Sequence, residues 1–263
     1  MRFLKFIIFI LLLFLLTIFT QIGGVILLLC YLLYRRHRGK ILLSFSVIYL
    51  LSTFIIVPLI APYFGREAIE TTKAVKVHMF LTKLANRHYV VPQINRLLKD
   101  VSLDLRKENP QLEIHCLDAN FPFWDGFPLL PHLSHRDGKK LDISLMYQDS
   151  NDGVVNEKPS RSGYGVFEKP TAQVYNQIDI CKNKGYWQYD FPKYLTLGTT
   201  HKNLVMSAGV TKKMLSIILK DGEVSKVFIE PHLRDRMGIT HPKLRYHGCK
   251  AVRHDDHIHI QVK

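Results

Sequence analysis

Acidic residues are absent from the first 66 positions of this 263-residue chain, which carry seven Lys and Arg. Cysteine is scarce as well. There are four, none spaced Cys-x-x-Cys, which argues against the common cysteine zinc and dithiol redox motifs. Cys30 lies in an apolar run and reads as inert packing. Cys116, Cys181 and Cys249 lie beyond it. Outside the cytoplasm any two of them can pair, and the sequence does not choose among the three pairings. There is no Gly-rich phosphate loop and no internal repeat. No recognised nucleic-acid-binding motif is present, so no nucleic-acid partner is expected.

Long apolar runs dominate the N-terminal quarter. Phe3 to Tyr34 is interrupted only by Lys5, Thr17, Thr20, Gln21 and Gly23-Gly24, and a second run extends from Ile41 to Phe64. A helix needs about 20 apolar residues to span a bilayer. The second run fits one span. The first exceeds an upright span and fits a tilted helix or one that extends past the hydrocarbon. Its apolar core is also too long for a secretory signal, whose core holds about 7–15 residues. Residues 1–66 are therefore expected to form a membrane anchor of two transmembrane helices. Between the runs lies Arg35-Arg36-His37-Arg38-Gly39-Lys40. Short loops rich in Lys and Arg stay in the cytoplasm. This places the 35–40 loop inside and both termini outside, with Arg2 and Lys5 pulling weakly the other way. The expected location is the inner (cytoplasmic) membrane, with the C-terminal domain in the periplasm or extracytoplasmic space. Of the net charge of +14, half belongs to residues 1–66. The other half fits solubility and anionic headgroups, and also a polyanionic substrate such as peptidoglycan.

Beyond the anchor, 67–110 reads as a helical juxtamembrane segment. Within it 92–108 is the stronger helix, with Pro92 in its first turn and Ile94, Leu97, Leu98, Val101 and Leu105 at helical spacing. Residues 111–118 read as a strand, 119–134 as a loop rich in aromatics and Pro, and 139–147 as a second strand. Residues 148–200 are irregular and contain Gly163-Tyr164-Gly165, Trp187, Tyr189, Phe191 and Tyr194. They suit either a self-packed insertion or a wall of a substrate cleft. A helix over 211–220, a strand over 226–230, a short helix over 231–237 and a strand over 255–262 complete the pattern. The fold class is α+β, with a small, mainly antiparallel sheet and flanking helices over 111–263.

The chemistry lies on the strands. Alternate side chains of a strand share a face. Ile258, Ile260 and Val262 then point into a core, and Asp255, His257, His259 and Gln261 point the other way. Leu141, Ile143 and Leu145 form a matching core face, with Asp142 opposite. His132-Leu133-Ser134-His135 stands just before, and Gly138 permits a tight turn. A His-x-His pair by itself is a weak signal among thirteen histidines. Two pairs of histidines and an Asp, all off the core faces, make a plausible nitrogen-and-oxygen zinc site.

At these residues the chain resembles a known family. His132-x-Ser134-His135-x-x-Gly138-x-x-x-Asp142 looks like the first zinc motif of the penicillin-insensitive murein endopeptidases, part of the lysostaphin/D-Ala-D-Ala metallopeptidase group. His254-x-x-His257-x-His259 looks like their C-terminal motif, and Val224 to Leu233 resembles the apolar strand that runs into a Pro and a short helix. The likeness covers roughly 112–262. It is specific in the two motifs and loose between them. It implies that His135, Asp142 and His259 hold Zn2+, that His257 is catalytic, and that His132 and His254 are accessory active-site histidines. Asp255 and Asp256 read either as acceptors that orient imidazoles or as solvated carboxylates. Glu230 stands where Asn or His is expected before the Pro. The expected function is a membrane-anchored zinc metallopeptidase that hydrolyses peptidoglycan cross-links or stem peptides. Its expected partners are the wall and the lipid bilayer. The alternative is a non-catalytic metal- or wall-binding domain on a membrane anchor.

Overall fold

The structure is a computed structural model that describes residues 2–34, 36–171 and 174–263, without the side chains of Arg2 and Arg38. Arg35 of the basic stretch lies outside the described residues. The chain divides into two compact units. One comprises residues 1–69, 80–92 and 118–139, and the other residues 70–79, 93–117 and 140–263.

The first unit begins with helices α1 (Arg2–Thr20), α2 (Gly23–Tyr34) and α3 (Arg38–Leu51). The last continues through a π-helical turn, Ser52–Ile56, and on to Phe64. Phe3–Thr20 and Gly39–Phe64 are each long and apolar enough to cross a membrane. The first apolar run is not a single helix. Gln21 takes a left-handed backbone conformation, φ 67°, and the chain folds back there. Glycine permits the close return. A Cβ at Gly24 would lie 2.0 Å from Thr17 Oγ1 and 2.4 Å from Leu13 O. The Thr17 and Thr20 hydroxyls donate to Leu13 O and Leu16 O at 2.8 and 2.6 Å, so neither is left unbonded in apolar surroundings. With 12 residues α2 is about 18 Å long, short of a full span.

This hairpin bears on the expected placement of the N-terminus. The rings of Phe9 and Tyr31 lie 4.4 Å apart, and Lys5, Tyr31, Ile41 and Leu42 line one groove. The start of α1 therefore shares an end of the helical unit with the start of α3, and the Gln21 turn lies at the other end. The positive charges at Arg2 and Lys5 now agree with the 35–40 loop instead of opposing it.

Residues 67–90 are not helical as expected, apart from Phe80–Leu84. Glu67–Ala68 pairs antiparallel with Tyr89–Val90 in the first unit. Residues 75–77 alternate along a strand in the second, with Val75 and Val77 buried. Strands of two or three residues carry too little periodicity to be read from sequence.

The second unit is built on a six-stranded sheet. Its strands are β1 (Val75–Val77), β2 (Ile114–Cys116), β3 (Lys140–Ser144), β4 (Val224–Phe228), β5 (Leu244–Arg245) and β6 (His257–Val262), in the order β5-β4-β6-β3-β2-β1. The α+β class holds. The sheet is mixed, because β1–β2 and β4–β5 pair parallel and the three central pairings are antiparallel. Helix α4 (Pro92–Arg106) buries Ile94, Leu97, Leu98, Val101 and Leu105, the stripe read from the sequence. Helix α5 (Ala208–Lys220) buries Met214, Leu215, Ile218 and Leu219, and α6 (Pro231–Met237) stops at left-handed Gly238. Residues 148–200 contribute a helix, Gln177–Asn183, and a 3₁₀ segment, Trp187–Tyr194. There Cys181 is bonded to Cys249, and Ile178 and Tyr189 pack around the bridge. Cys116 is buried and unbridged.

Two predictions follow from this architecture. An N-terminal tag and a tag in the 35–40 loop should be labelled from the same side of the membrane, and a tag after Lys263 from the other. Labelling of all three from one side would reject the hairpin topology. The Cys181–Cys249 bridge spans 68 positions, and a loop of that length contributes about 4 kcal/mol in the chain-entropy account. Cys181→Ala/Cys249→Ala should unfold at correspondingly lower denaturant, and an unchanged midpoint would show that the bridge adds nothing.

Candidate metal centre

The pairing of β6 with β3 sets His259 directly opposite Asp142. His259 Nδ1 lies 2.8 Å from Asp142 Oδ1, and His257 Nε2 lies 3.8 Å from Asp142 Oδ2. The Tyr164 hydroxyl donates to Asp142 Oδ2 at 2.8 Å. The alternation along β6 is the expected one, with Ile258, Ile260 and Val262 in the core. The polar face, however, is not open to solvent. His257 is 1 % exposed and His259 3 %. The Tyr164 ring stands edge-on to His257 at 5.0 Å, His254 packs 4.8 Å from His257, and Phe228 packs 5.5 Å from His259.

Both aspartates before the strand are buried, so the reading of them as solvated carboxylates does not hold. Asp256 accepts from His257 Nδ1 and from the Gly165 backbone N–H. Glycine is required there: Gly165 has φ 82°, and a Cβ would fall 2.3 Å from Pro192 O. Asp255 is gripped by Arg253, whose Nε donates to Asp255 Oδ1 at 2.6 Å and whose other arm donates to Asp190 Oδ1 at 2.8 Å. Burial pushes the Asp255 carboxyl up to about 7, against the pull of Arg253. For His257 burial alone favours the neutral ring, but the Asp256 and Asp142 carboxylates outweigh it and raise the imidazole to about 9. His254 is driven the other way, well below the ordinary range, by burial and by neighbouring His257 and His259. Glu230, the departure from the family pattern, is buried behind this end of the strand. Its Oε1 accepts from the His254 backbone N–H at 3.0 Å and its Oε2 from the Tyr189 hydroxyl at 2.7 Å.

His132 and His135 sit on the turn that precedes β3. His135 Nδ1 donates to Ala119 O at 2.7 Å, which makes Nε2 the nitrogen with the lone pair. His132 Nδ1 lies 3.5 Å from Asp118 Oδ2. Asp118 is held by Arg87 through two bonds, at 3.0 and 2.7 Å. Burial pulls the Asp118 carboxyl up, but Arg87 and the two histidines prevail and keep it below its ordinary value. Gly138 closes the turn at φ 78°, as its place in the sequence implied. His132, His135 and Asp142 are each buried, and they are residue types that could hold a metal ion. His259 and His257 reach the same carboxylate from β6.

Two site residues escaped the sequence reading. Tyr164 had a visible signal, since a Tyr between two glycines is a side chain on a backbone free to make sharp turns. His247 had none. It stacks on His254 at 5.5 Å and stands edge-on to His259 at 6.5 Å. The chain matches no protein-family model and no curated protein.

Tyr164 provides a test of how the carboxylate is held. Tyr164→Phe should keep the fold and weaken metal binding about tenfold, because it removes the bond that orients Asp142. Chelator competition on the purified chain measures this, and unchanged affinity would remove Tyr164 from the site.

Proposed function

We propose that the protein is a membrane-anchored zinc peptidase that hydrolyses peptide bonds in peptidoglycan cross-links or stem peptides, as its likeness to the murein endopeptidases implies. The observation that carries this reading is the register that sets His259 against Asp142, with His257 two residues earlier and bonded to Asp256.

In this reading His135, Asp142 and His259 are the metal ligands. Two imidazoles and one carboxylate are a donor set that suits zinc and leaves one position for water. Both strand-borne donors come from a hydrogen-bonded ladder, and the His135 tautomer is set by the Ala119 carbonyl. A bound zinc ion would supply Lewis acidity toward the scissile carbonyl, acidify a water, and offset part of the carboxylate pull on His257. His257 is the proton carrier. Its Nδ1 is committed to Asp256, so Nε2, on the Asp142 side, takes a proton from the attacking water and returns it to the leaving amine. Asp256 fixes the ring and stabilises the imidazolium, and the Gly165 N–H holds Asp256 in turn. Tyr164 holds Asp142. His254 and His132 line the site as accessory groups.

The compartment follows from two features. The Cys181–Cys249 bridge belongs in an oxidising space, and the 35–40 loop belongs inside. Both features support a peptidase domain on the face of the membrane where peptidoglycan lies.

The test uses the full chain in detergent with purified cell wall, read by mass analysis of the released muropeptides. Hydrolysis should require zinc and stop with a chelator. His257→Ala should keep zinc and lose about 10²- to 10⁴-fold in rate, the contribution of a positioned acid–base group. His259→Ala should lose both zinc and turnover. Zinc retained without any hydrolysis by the wild type would favour a non-catalytic metal- or wall-binding domain. Equal loss of zinc in both variants would make His257 a ligand.

A further inference from the structure

We propose that Gln21 and Arg66 are positioning residues for the turn that carries His132 and His135. The proposal rests on the reading of His135 as a metal ligand.

Gln21 is a polar residue inside an apolar run, and it is 2 % exposed. Its side-chain amide is matched to the backbone N–H and C=O of one residue 102 positions away. Nε2 donates to Phe123 O at 2.8 Å, and the Phe123 N–H donates to Oε1 at 3.0 Å. Two oppositely directed bonds to the N–H and C=O of one residue fix orientation as well as distance, as a hydrogen-bonded pair in an antiparallel sheet does. The surroundings are dry: Val57, Ala61, Tyr89 and Phe123 form an apolar cluster against which Ile22 packs. A buried amide in such a place needs partners, and here both come from the 118–139 segment.

Arg66 stands at the exit of the second apolar run and grips the same backbone. One of its terminal nitrogens donates to Phe121 O at 2.6 Å and to Phe123 O at 2.9 Å, and the other pairs with Asp125. Its stem reaches the far end of the segment. A Cβ at Gly138 would fall 2.9 Å from Arg66 Nε and 3.2 Å from its Cγ. Arg66 thus touches the segment on both sides of His132 and His135. The Ala119 carbonyl that receives His135 Nδ1 lies two residues before Phe121. A shift of the 121–123 backbone therefore moves the acceptor that sets the His135 ring. A residue that merely satisfied itself in the hairpin turn would leave this segment indifferent to its loss.

The experiment compares the full-length wild type with Gln21→Leu in lipid nanodiscs, by hydrogen exchange and by zinc affinity in chelator competition. Gln21→Leu keeps the run apolar. Exchange across 119–125 should become at least about tenfold faster, and zinc affinity should fall about tenfold, the lower end for partners that orient a ligand. Gln21→Glu, whose neutral carboxyl makes both bonds, should recover most of each. If Gln21→Leu does not accumulate, Arg66→Lys supplies the same two readings, since it keeps the charge and loses the fork. Unchanged exchange would overturn the clamp. Faster exchange with unchanged zinc affinity would overturn its role at the metal. A wild type that takes up no zinc would overturn the ligand reading and with it this role at the metal, and the exchange rates would still decide whether the clamp exists.

Discussion

The antiparallel register between β3 and β6 is the constraint on which the rest of the site depends. Side chains alternate with a period of two, so a slip of one residue would turn Asp142 or His259 to the opposite face. The His259–Asp142 contact matches this register, and an aliphatic face fixes it from the other side. It is set by Ile258 against Ile143 and Ile260 against Leu141, all essentially fully buried, and by Val227 on the other flank of β6. Each such side chain contributes about 1.5–3 kcal/mol by leaving water. The aliphatic face of the sheet thereby holds in place a polar face that would not assemble unaided. Buried carboxylates and imidazoles are costly unless each meets a partner.

Those partners come from the least regular part of the chain. Asp190, Tyr189, Tyr164 and Gly165 all belong to residues 148–200, and they bond Arg253, Glu230, Asp142 and Asp256 respectively. This segment has little regular structure because its backbone is committed elsewhere. It is pinned by the Cys181–Cys249 bridge, by left-handed glycines at 163 and 165, and by polar contacts to the strand that carries His257 and His259. A helix or strand there would present side chains at fixed periods. The site needs a hydroxyl at one carboxylate and a backbone N–H at another.

How much of this was legible follows from the range of each signal. The stripe of α4 and the alternation of β6 are local patterns, and both were readable. The candidate histidines and Asp142 were readable as motifs, because short spacings on a strand or a turn translate directly into local proximity. The Arg253–Asp190 pair and the choice of Cys181 with Cys249 were not, since each joins positions more than 60 residues apart. Burial of the polar face was missed for the same reason, since alternation tells which residues share a face and not what covers it. The break at Gln21 had its signal, a Gln followed by two glycines, but counting apolar length averages over such a break.

The strand-borne and the turn-borne candidate ligands gain their rigidity by different means. Asp142 and His259 sit on a ladder, where backbone bonds repeat every other residue and hold each Cα from both sides. His132 and His135 sit on a segment that is tied by scattered backbone bonds, the Asn120–Tyr89 bridge, Ala119 N–H to Arg87 O and Val91 N–H to Gly138 O, and not by a continuous ladder. Its backbone groups still need partners, and side chains supply them: Gln21 and Arg66 at Phe121 and Phe123, Arg87 at Leu130. A loop held in this way can be as exact as a strand only while every clamp is in place. One clamp lies in the turn between two apolar helices, so the precision of the His135 ring is tied to the packing of that hairpin. Small residues at Gly23 and Gly24 set that packing. Two glycines in the helical hairpin thus bear, through one glutamine amide, on the orientation of an imidazole.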